Sequence, residues 1–348
     1  MSFWKRMFGG KGGDDAPSGE PADPVAAFWQ WWAAHRAEIL GDLHNSRAGW
    51  IQPLTARVHG IHADLDWEFG PGRRAKHLLA LSANGDPRLR PTLERWRLAG
   101  PQDDPDFEFY TARQASPGER DGAMEWNGIE VPYADFRFAV EARDHQQRWD
   151  IVVHHPKLAA LGEAAPNLVF VVLDDLLGED GVETWMGGID WTSEPPPDDA
   201  LDVSALRSLV DGAEERWPEL TWIVAQAAHP DTGARIVFSG CAAAKFLKEP
   251  LFDTLCMARL PFAADEEGMP LGEEKARVDG FEDALLAELG DRVRVWCRGT
   301  GNAERVMWIY LMAENGPDRA ALDRLAGEHP GHVELMYSWD PGWRALPL

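Results

Sequence analysis

Cysteine is scarce in this chain, and long hydrophobic runs are absent from it. The 348 residues include three cysteines at wide spacings and no CxxC pair, which predicts reduced thiols rather than a disulfide framework or a zinc site. No apolar stretch has the length of a signal peptide or of a membrane-spanning helix. We therefore expect a soluble cytoplasmic protein without a transmembrane segment. The cysteines are Cys241, Cys256 and Cys297.

Basic charge is also in short supply. Lys and Arg number 34 against 58 Asp and Glu, a formal net charge of -24, while 45% hydrophobic residues are typical of a folded globular protein. Neither half of the chain is basic, so we do not expect general binding of nucleic acids. The sequence contains no P-loop, nucleophile elbow, HExxH or dinucleotide fingerprint, which disfavours the commonest enzyme classes and predicts no cofactor.

Composition and periodicity divide the chain into a tail and two domains. Residues 1–23 combine a short aromatic and cationic segment with Gly, Pro, Ser and Asp, which predicts a disordered tail or, alternatively, a weak contact with a membrane surface or a partner. Residues 24–194 read as a mixed α+β domain. The proline-rich segment 195–200 is predicted to be the interdomain linker, because consecutive prolines remove backbone donors. Residues 201–348 form the second domain.

The order of elements gives the fold class, which is α+β with two mixed domains and antiparallel sheets. Between residues 254 and 337 the pattern is β-α-β-β-α-β, which is typical of a ferredoxin-like domain. In the first domain the apolar run Leu168–Leu173 is predicted to be a strand. Alternation along a strand of the second domain predicts that three arginines share one exposed sheet face. These are Arg292, Arg294 and Arg298.

The segment from Trp222 to the carboxyl terminus carries a recurring pattern of aromatic and acidic positions. On these residues it resembles the bacterial family called domain of unknown function 695, although members of that family usually end in an aromatic where this chain has Arg344-Ala345-Leu346. Beyond Trp222, the residues that carry the resemblance are Leu271-Gly272-Glu273-Glu274, Phe281-Glu282-Asp283-Ala284-Leu285, Thr300-Gly301-Asn302-Ala303-Glu304-Arg305, Trp308-Ile309-Tyr310 and Trp339-Asp340-Pro341-Gly342-Trp343.

The first half of the chain is similar to the amino-terminal regions of uncharacterised bacterial proteins, through residues 67–72 and 173–179. The family has no assigned activity. Some relatives are joined to modules that resemble the acidic regulators of ribonuclease E, which act by contact. The resemblance therefore implies a regulatory or adaptor role, by analogy of fold alone, and assigns no binding residue to this chain.

Two groups of residues are candidates for chemistry. His59 and His62 are three residues apart near acidic side chains, a spacing that suits a divalent metal, although surface or capping histidines are the alternative. The second group joins His155 to three downstream carboxylates, which would supply a base and an orienting acid if they converge. Its alternative is a solvated, acidic helix start. The carboxylates are Asp174, Asp175 and Glu179.

Two further features favour binding. Residues 73–97 form the one basic island, with seven basic residues against two acidic ones, and Arg73, Arg74 and Lys76 are candidates to bind an anion or an acidic partner. Pairing with the protein's own carboxylates is the alternative. Tryptophan is unusually frequent at 17 residues, and Trp29 and Trp32 on one helix are candidates for an interface, with core packing as the alternative.

These features favour a non-catalytic regulatory or protein-interaction module. Its partner is unknown, and a homodimer is one form that the interaction can take. A metal-dependent hydrolase using the His and Asp/Glu groups is the first alternative, and a sensor of small anions at the basic island is the second.

Overall fold

The computed structural model describes residues 23–45, 47–116, 122–217, 222–229, 232–241, 244–313 and 316–347. The predicted tail therefore lies outside the described residues except at Asp23. Two compact units divide the chain between residues 219 and 220. Both contain helices and sheets, which confirms the predicted α+β class. Among the described residues, no helix combines the length and the apolar character needed to cross a bilayer.

The amino-terminal unit begins with helices packed on a three-stranded sheet. Asp23 caps the first helix by accepting a hydrogen bond from the Val25 amide at 3.0 Å, and Pro24 fills the first turn. Strands β1 and β2 form an antiparallel hairpin, whereas β2 and β3 are parallel. The elements are α1 (Pro24–Gly41), α2 (Ile51–Ile61), β1 (Asp66–Pro71), β2 (His77–Ser82), α3 (Arg90–Ala99) and β3 (Phe107–Tyr110).

The rest of this unit surrounds a second three-stranded sheet, β6-β7-β8, in which β7 and β8 are again parallel. The prediction of purely antiparallel sheets is therefore wrong for this unit. The elements are β4 (Ala123–Trp126), β5 (Ile129–Pro132), β6 (Arg137–Arg143), β7 (Arg148–His154), α4 (Leu158–Leu161), α5 (Ala165–Leu177), α6 (Glu179–Trp185), β8 (Met186–Thr192), α7 (Val203–Asp211) and α8 (Ala213–Arg216).

The run Leu168–Leu173, predicted as a strand, is the middle of helix α5. A short apolar run fits a buried helix as well as a buried strand, because neither shows a polar face. Pro166 occupies the first turn of α5, and Gly178, with φ of 76°, ends it. Leu168, Val169, Val172 and Leu173 of the helix pack into the core of the β6-β7-β8 sheet, whereas Phe170 and Val171 are exposed.

The boundary between the units lies after the proline-rich segment 195–200 rather than within it. Leu201 exchanges two backbone hydrogen bonds with Phe138 of β6, at 2.8 and 2.9 Å. Leu206 and Val210 of α7 are buried in the same core as Trp149. The chain therefore crosses the proline segment and still contributes to the amino-terminal unit, because its apolar helix completes that core.

Arg90 is a buried cation that links the two halves of the amino-terminal unit. It lies at the start of α3 with 2% of its surface exposed, and its guanidinium contacts three carboxylates of α6. Nη2 lies 3.2 Å from Glu179, which is itself 5% exposed. Nη1 also donates to the Thr111 carbonyl at 3.0 Å. The other two carboxylates belong to Asp180 and Glu183.

The carboxyl-terminal unit is a six-stranded antiparallel sheet in the order β14-β11-β13-β12-β10-β9. Its elements from β11 onward follow the predicted order β-α-β-β-α-β, and β13 lies between β11 and β12, which splits the first β-α-β unit. The elements are β9 (Trp222–Ala228), β10 (Arg235–Cys241), β11 (Thr254–Pro261), α9 (Glu273–Leu289), β12 (Val293–Gly301), β13 (Glu304–Leu311), α10 (Gly316–Glu328) and β14 (Glu334–Trp339).

Both faces of the centre of this sheet are covered, and β13 is buried along its whole length. Helices α9 and α10 cover one face. Irregular segments cover the other face, where Trp343 donates its indole N–H to the Phe252 carbonyl at 2.7 Å and Tyr310 donates to Asp340 at 2.6 Å. The three cysteines are buried, and burial raises the pKa of Cys256 and Cys297 to about 12.

A β-bulge in β12 corrects one prediction about its arginines. The register with β13 shifts between Val295 and Cys297, so the alternation of faces breaks there. Arg294 stacks on the Phe252 ring at 4.4 Å, whereas Arg298 contacts Glu282 of α9 at 2.8 Å. The three arginines therefore do not share one face, and Arg292 pairs with Asp318 outside the strand.

Replacing Arg90 should be far more damaging than replacing its exposed neighbour. Arg90→Met leaves buried Glu179 without its cation, which we expect to cost about 3–5 kcal/mol of unfolding free energy. Arg88→Met is the matched control, because the Arg88 side chain is 67% exposed in its pair with Asp86 and exposed pairs of this kind contribute little to stability. Urea denaturation followed by tryptophan fluorescence measures both. Equal losses in the two variants would show that Arg90 has no special role.

Candidate functional site

The two histidines predicted to bind metal lie on the surface of the amino-terminal unit. His59 is exposed near the end of α2, and His62 is the residue that caps this helix. The His62 Nδ1 atom accepts a hydrogen bond from the Asp64 amide at 3.3 Å and lies 3.8 Å from the Asp64 carboxylate. Within the described part of the chain, no three His, Cys, Asp or Glu side chains converge as a metal site requires.

His155 is buried, and its ring nitrogens contact backbone groups instead of the predicted carboxylates. Its Nε2 lies 3.1 Å from the Pro132 carbonyl, and its Nδ1 accepts from the Lys157 amide at 3.1 Å. The ring packs on Phe136 with centroids 4.4 Å apart, and burial lowers the pKa of His155. Both ring nitrogens are therefore occupied by backbone groups, so the structure does not support His155 as a base oriented by downstream acids.

The three predicted carboxylates have separate roles at the end of α5 and the start of α6. Asp175 accepts hydrogen bonds from the hydroxyls of Ser116 at 2.5 Å and Tyr133 at 2.8 Å. Glu179 is the buried acceptor described above, and it also accepts from the backbone amides of Gly85 at 3.3 Å and Arg113 at 3.2 Å. Both acids therefore hold loops in place. Glu179 is buried and fully engaged in this role, which fits neither a catalytic acid nor an acid at a solvated helix start.

Asp174 has a strongly shifted titration. Burial raises its pKa to about 6, and the nearby charges of Glu179 and Glu68 act in the same direction. Burial likewise raises the pKa of Glu68, while Arg113 opposes both shifts. A cluster of carboxylates around one arginine is chemically able to share a proton, but among the described residues no three His, Cys, Asp or Glu side chains converge to hold a metal.

The basic island is largely neutralised by the unit's own carboxylates, in line with the alternative interpretation. Arg74 lies 3.4 Å from buried Glu108, and Lys76 lies 2.8 Å from Asp106. Arg73 differs, because its side chain lines a cavity of about 400 Å³. Arg113 and Arg207 line the same cavity, together with two carboxylates and four large apolar residues. These are Asp180, Asp211, Leu176, Leu177, Trp185 and Val210.

A larger cleft of about 560 Å³ lies over the β6-β7-β8 sheet. Four carboxylates and Arg216 line it, and Asp150 is held by Arg143 at 2.6 Å and by the Gly188 amide at 2.7 Å. The carboxylates of this cleft would repel an anion. Among the described residues they also do not converge as the ligands of a metal would. The carboxylates are Glu141, Asp150, Asp190 and Asp199.

The tryptophans predicted to form an interface are part of an aromatic core. Trp32 is 1% exposed, and its ring stacks on Phe28 with centroids 6.3 Å apart. Trp29 stacks on Trp96 at 5.1 Å and donates its indole N–H to the Trp96 carbonyl at 2.8 Å. Trp32 is therefore a core residue, which contradicts the interface prediction for it. Trp29 is partly buried and packs against the same aromatic core.

Strand β9 presents a surface that was not among the sites predicted from the sequence. It is the last strand of the six-stranded sheet, and all of its residues except Ile223 are exposed, with 41% of Trp222 and 68% of Val224 accessible. Its sequence contains neither charge nor proline, the devices by which most exposed edges avoid pairing. The signal was present in the sequence as a strand-forming run without a charged residue.

The surroundings of Trp222 are ordered. The Arg298 guanidinium lies 5.1 Å from the centre of the Trp222 ring and also contacts Glu282. Gly301 of β12, with φ of 153°, allows β10 to approach closely, because a side chain there would meet the Arg235 carbonyl at 2.1 Å. The edge is therefore held in a fixed position by β10 and β12, and its outer backbone groups can pair with another strand.

The shifted pKa of Asp174 makes a prediction about stability. In the folded protein Asp174 keeps its proton up to about pH 6, whereas in the unfolded chain it loses this proton near pH 4. The folded state therefore binds more protons between these pH values, and the free energy of unfolding should fall as pH rises from about 4 to about 6 and above. Asp174→Asn abolishes the titration and should stabilise the protein at pH 7 by about 1–2 kcal/mol, with little effect at pH 4.

Asp175→Asn is the matched control. We expect it to destabilise the protein at pH 7 by about 1–3 kcal/mol, because two hydroxyls lose their charged acceptor. Urea denaturation of each variant at both pH values measures the effects. A loss of stability in Asp174→Asn at pH 7 would refute burial as the cause of the shift.

Comparison of the chain with known protein families, with curated proteins and with solved structures finds no match. Among the described residues, the edge of β9 stands out as an exposed strand without a charged side chain.

Proposed function

We propose that this chain is a cytoplasmic, non-catalytic interaction protein whose binding surface is the free edge of β9. The single observation that carries the proposal is an exposed, uncharged edge strand of seven residues on a sheet whose inner strand β13 is buried along its whole length. Backbone N–H and C=O groups along such an edge pair with an added strand, and the alternating side chains give specificity.

The organisation of the carboxyl-terminal unit supports this proposal. Its strand order and its β-α-β-β-α-β sequence of elements favour assignment as a ferredoxin-like domain extended by β9 and β10. The resemblance to domain of unknown function 695 agrees with such a module, and the regulatory analogy of its relatives agrees with action by contact. The proposed binding edge lies within the two added strands.

The other edge of the sheet provides a useful contrast. Strand β14 carries Glu334, which pairs with Arg259 of the neighbouring strand at 3.1 Å, and its residues from Glu334 to Tyr337 are half-buried. Charge and partial cover of this kind protect an edge from pairing. Strand β9 has neither, which favours it as the edge that receives a partner.

Cross-linking at the edge tests this proposal. Val224→benzoylphenylalanine, irradiated in cells, should yield a discrete cross-linked product, whereas the same residue at Leu286, an exposed apolar position on α9, should not. Ala225→Lys in the same chain should abolish the product, because a charged side chain on an edge strand opposes pairing. Ala276→Lys, an exposed alanine of α9, is the matched control. Equal cross-linking from both positions would count against the edge.

A second candidate function, binding of a small anion, is favoured by the cavity that Arg73, Arg113 and Arg207 line. Inorganic phosphate should raise the melting temperature of the wild type by preferential binding to the folded state. Arg73→Ala should remove this shift. Arg74→Ala should retain it, because Arg74 pairs with Glu108 and does not line the cavity. An identical phosphate response in the two variants, or none in the wild type, would eliminate this site.

A further inference from the structure

We propose that the strand added at β9 is β9 of a second copy of this chain, paired antiparallel about a two-fold axis at Ala225. This inference rests on the proposed function and names its partner. The sheets of both copies would then form one continuous sheet of twelve strands, because each copy contributes six.

Residue sizes along β9 make the strand complementary to itself. The first half carries Trp222 and Ile223, and the second half carries Ala227 and Ala228. In an antiparallel pair centred on Ala225, Trp222 and Ile223 of one copy lie opposite Ala228 and Ala227 of the other. The pair closest to the axis joins Val224 to Gln226. Such cross-strand pairs fill space efficiently. A parallel pair in register would instead place the tryptophans together and leave the alanines uncovered.

The same pairing keeps the faces of the two sheets in phase. Val224 pairs with Ser239 of β10, and Ser239 pairs with Arg298 of β12, whose guanidinium contacts Glu282 on α9. The even-numbered residues of β9 therefore lie on the helix face. A two-fold axis perpendicular to the sheet preserves this relation, so the exposed apolar side chains of both copies meet on one side.

The net charge of the chain favours an uncharged strand as the place where two copies meet. Each chain has a formal net charge of -24, so two copies repel each other at long range. An interface without charged residues allows close approach with no opposed carboxylates. Added salt should therefore strengthen this association by screening the repulsion, whereas it would weaken an association held by ion pairs with a basic partner.

The area of contact sets the strength of the association. One pair of seven-residue strands buries less than the roughly 1,600 Å² of a standard interface. The dimer should therefore dissociate on dilution, and its population should depend on protein concentration.

Variants that place a charge at Ala225, the residue on the two-fold axis, test both the identity of the partner and the register of the paired strands. Sedimentation velocity of the purified full-length chain, over a range of concentrations, should show a monomer–dimer equilibrium. Ala225→Lys and Ala225→Glu should each raise the dissociation constant about tenfold, because like charges then face each other across the axis. An equal mixture of the two variants should restore the wild-type constant, since opposite charges now meet. Ala276→Lys should leave the constant unchanged, and thermal unfolding of every variant checks its fold.

The possible failures are distinct. A wild type that stays monomeric at every concentration overturns the second-copy inference, and so does a dimer that neither charged variant weakens. Dimers of the charged variants that fail to recover on mixing refute the register. If the purified chain is monomeric but position 224 still cross-links to a different protein in cells, the proposed function survives; absence of both signals removes both proposals.

Discussion

The sheet of the carboxyl-terminal unit is wider than the two helices that cover it among the described residues. This difference in width determines which strands of the unit are buried. Six strands spaced by about 4.8 Å span about 24 Å, whereas two helices packed side by side cover about 20 Å. The buried cluster under α9 and α10 accordingly draws on β11 to β14 and on neither β9 nor β10. On the opposite face the irregular cover extends to Phe238 of β10 and ends there. Strand β9 is thus exposed on both faces as a geometric consequence of the fold.

The amino-terminal unit obeys a different constraint, which is the cost of a buried charge. Arg90 lies in a position where its guanidinium must be satisfied, and α6 supplies the carboxylates that do so. Glu179 in turn fixes backbone amides on two separate loops. Glu179, which the sequence offers as an acid for chemistry, is therefore committed to architecture, because a buried charge that loses its partner is costly to stability.

The fold was more predictable from the sequence than the site. Helices α1, α2 and α9 and the order of elements after β11 follow from periodicity and capping, which are local properties. The run Leu168–Leu173 could not be assigned, because an apolar segment without a polar face has no readable period. His155 failed as a site because its partners are backbone groups, which are invisible in a sequence. The bulge in β12 and the exposure of β9 depend on pairing between distant strands, so single-segment patterns do not reveal them.

The indole of Trp343 has a consequence for how the protein is made. This side chain lies against Phe252, Tyr310 and Trp296, and it closes the second layer of a sheet whose first strand, β9, begins more than a hundred residues earlier. During synthesis the amino-terminal unit is complete and able to fold well before this residue leaves the ribosome. Trp343 lies only four residues beyond Trp339, the end of strand β14, so the sheet acquires its last strand and the indole that closes its second layer at nearly the same moment. The carboxyl-terminal unit therefore completes its sheet and its core together, at the end of synthesis of residues 222–343.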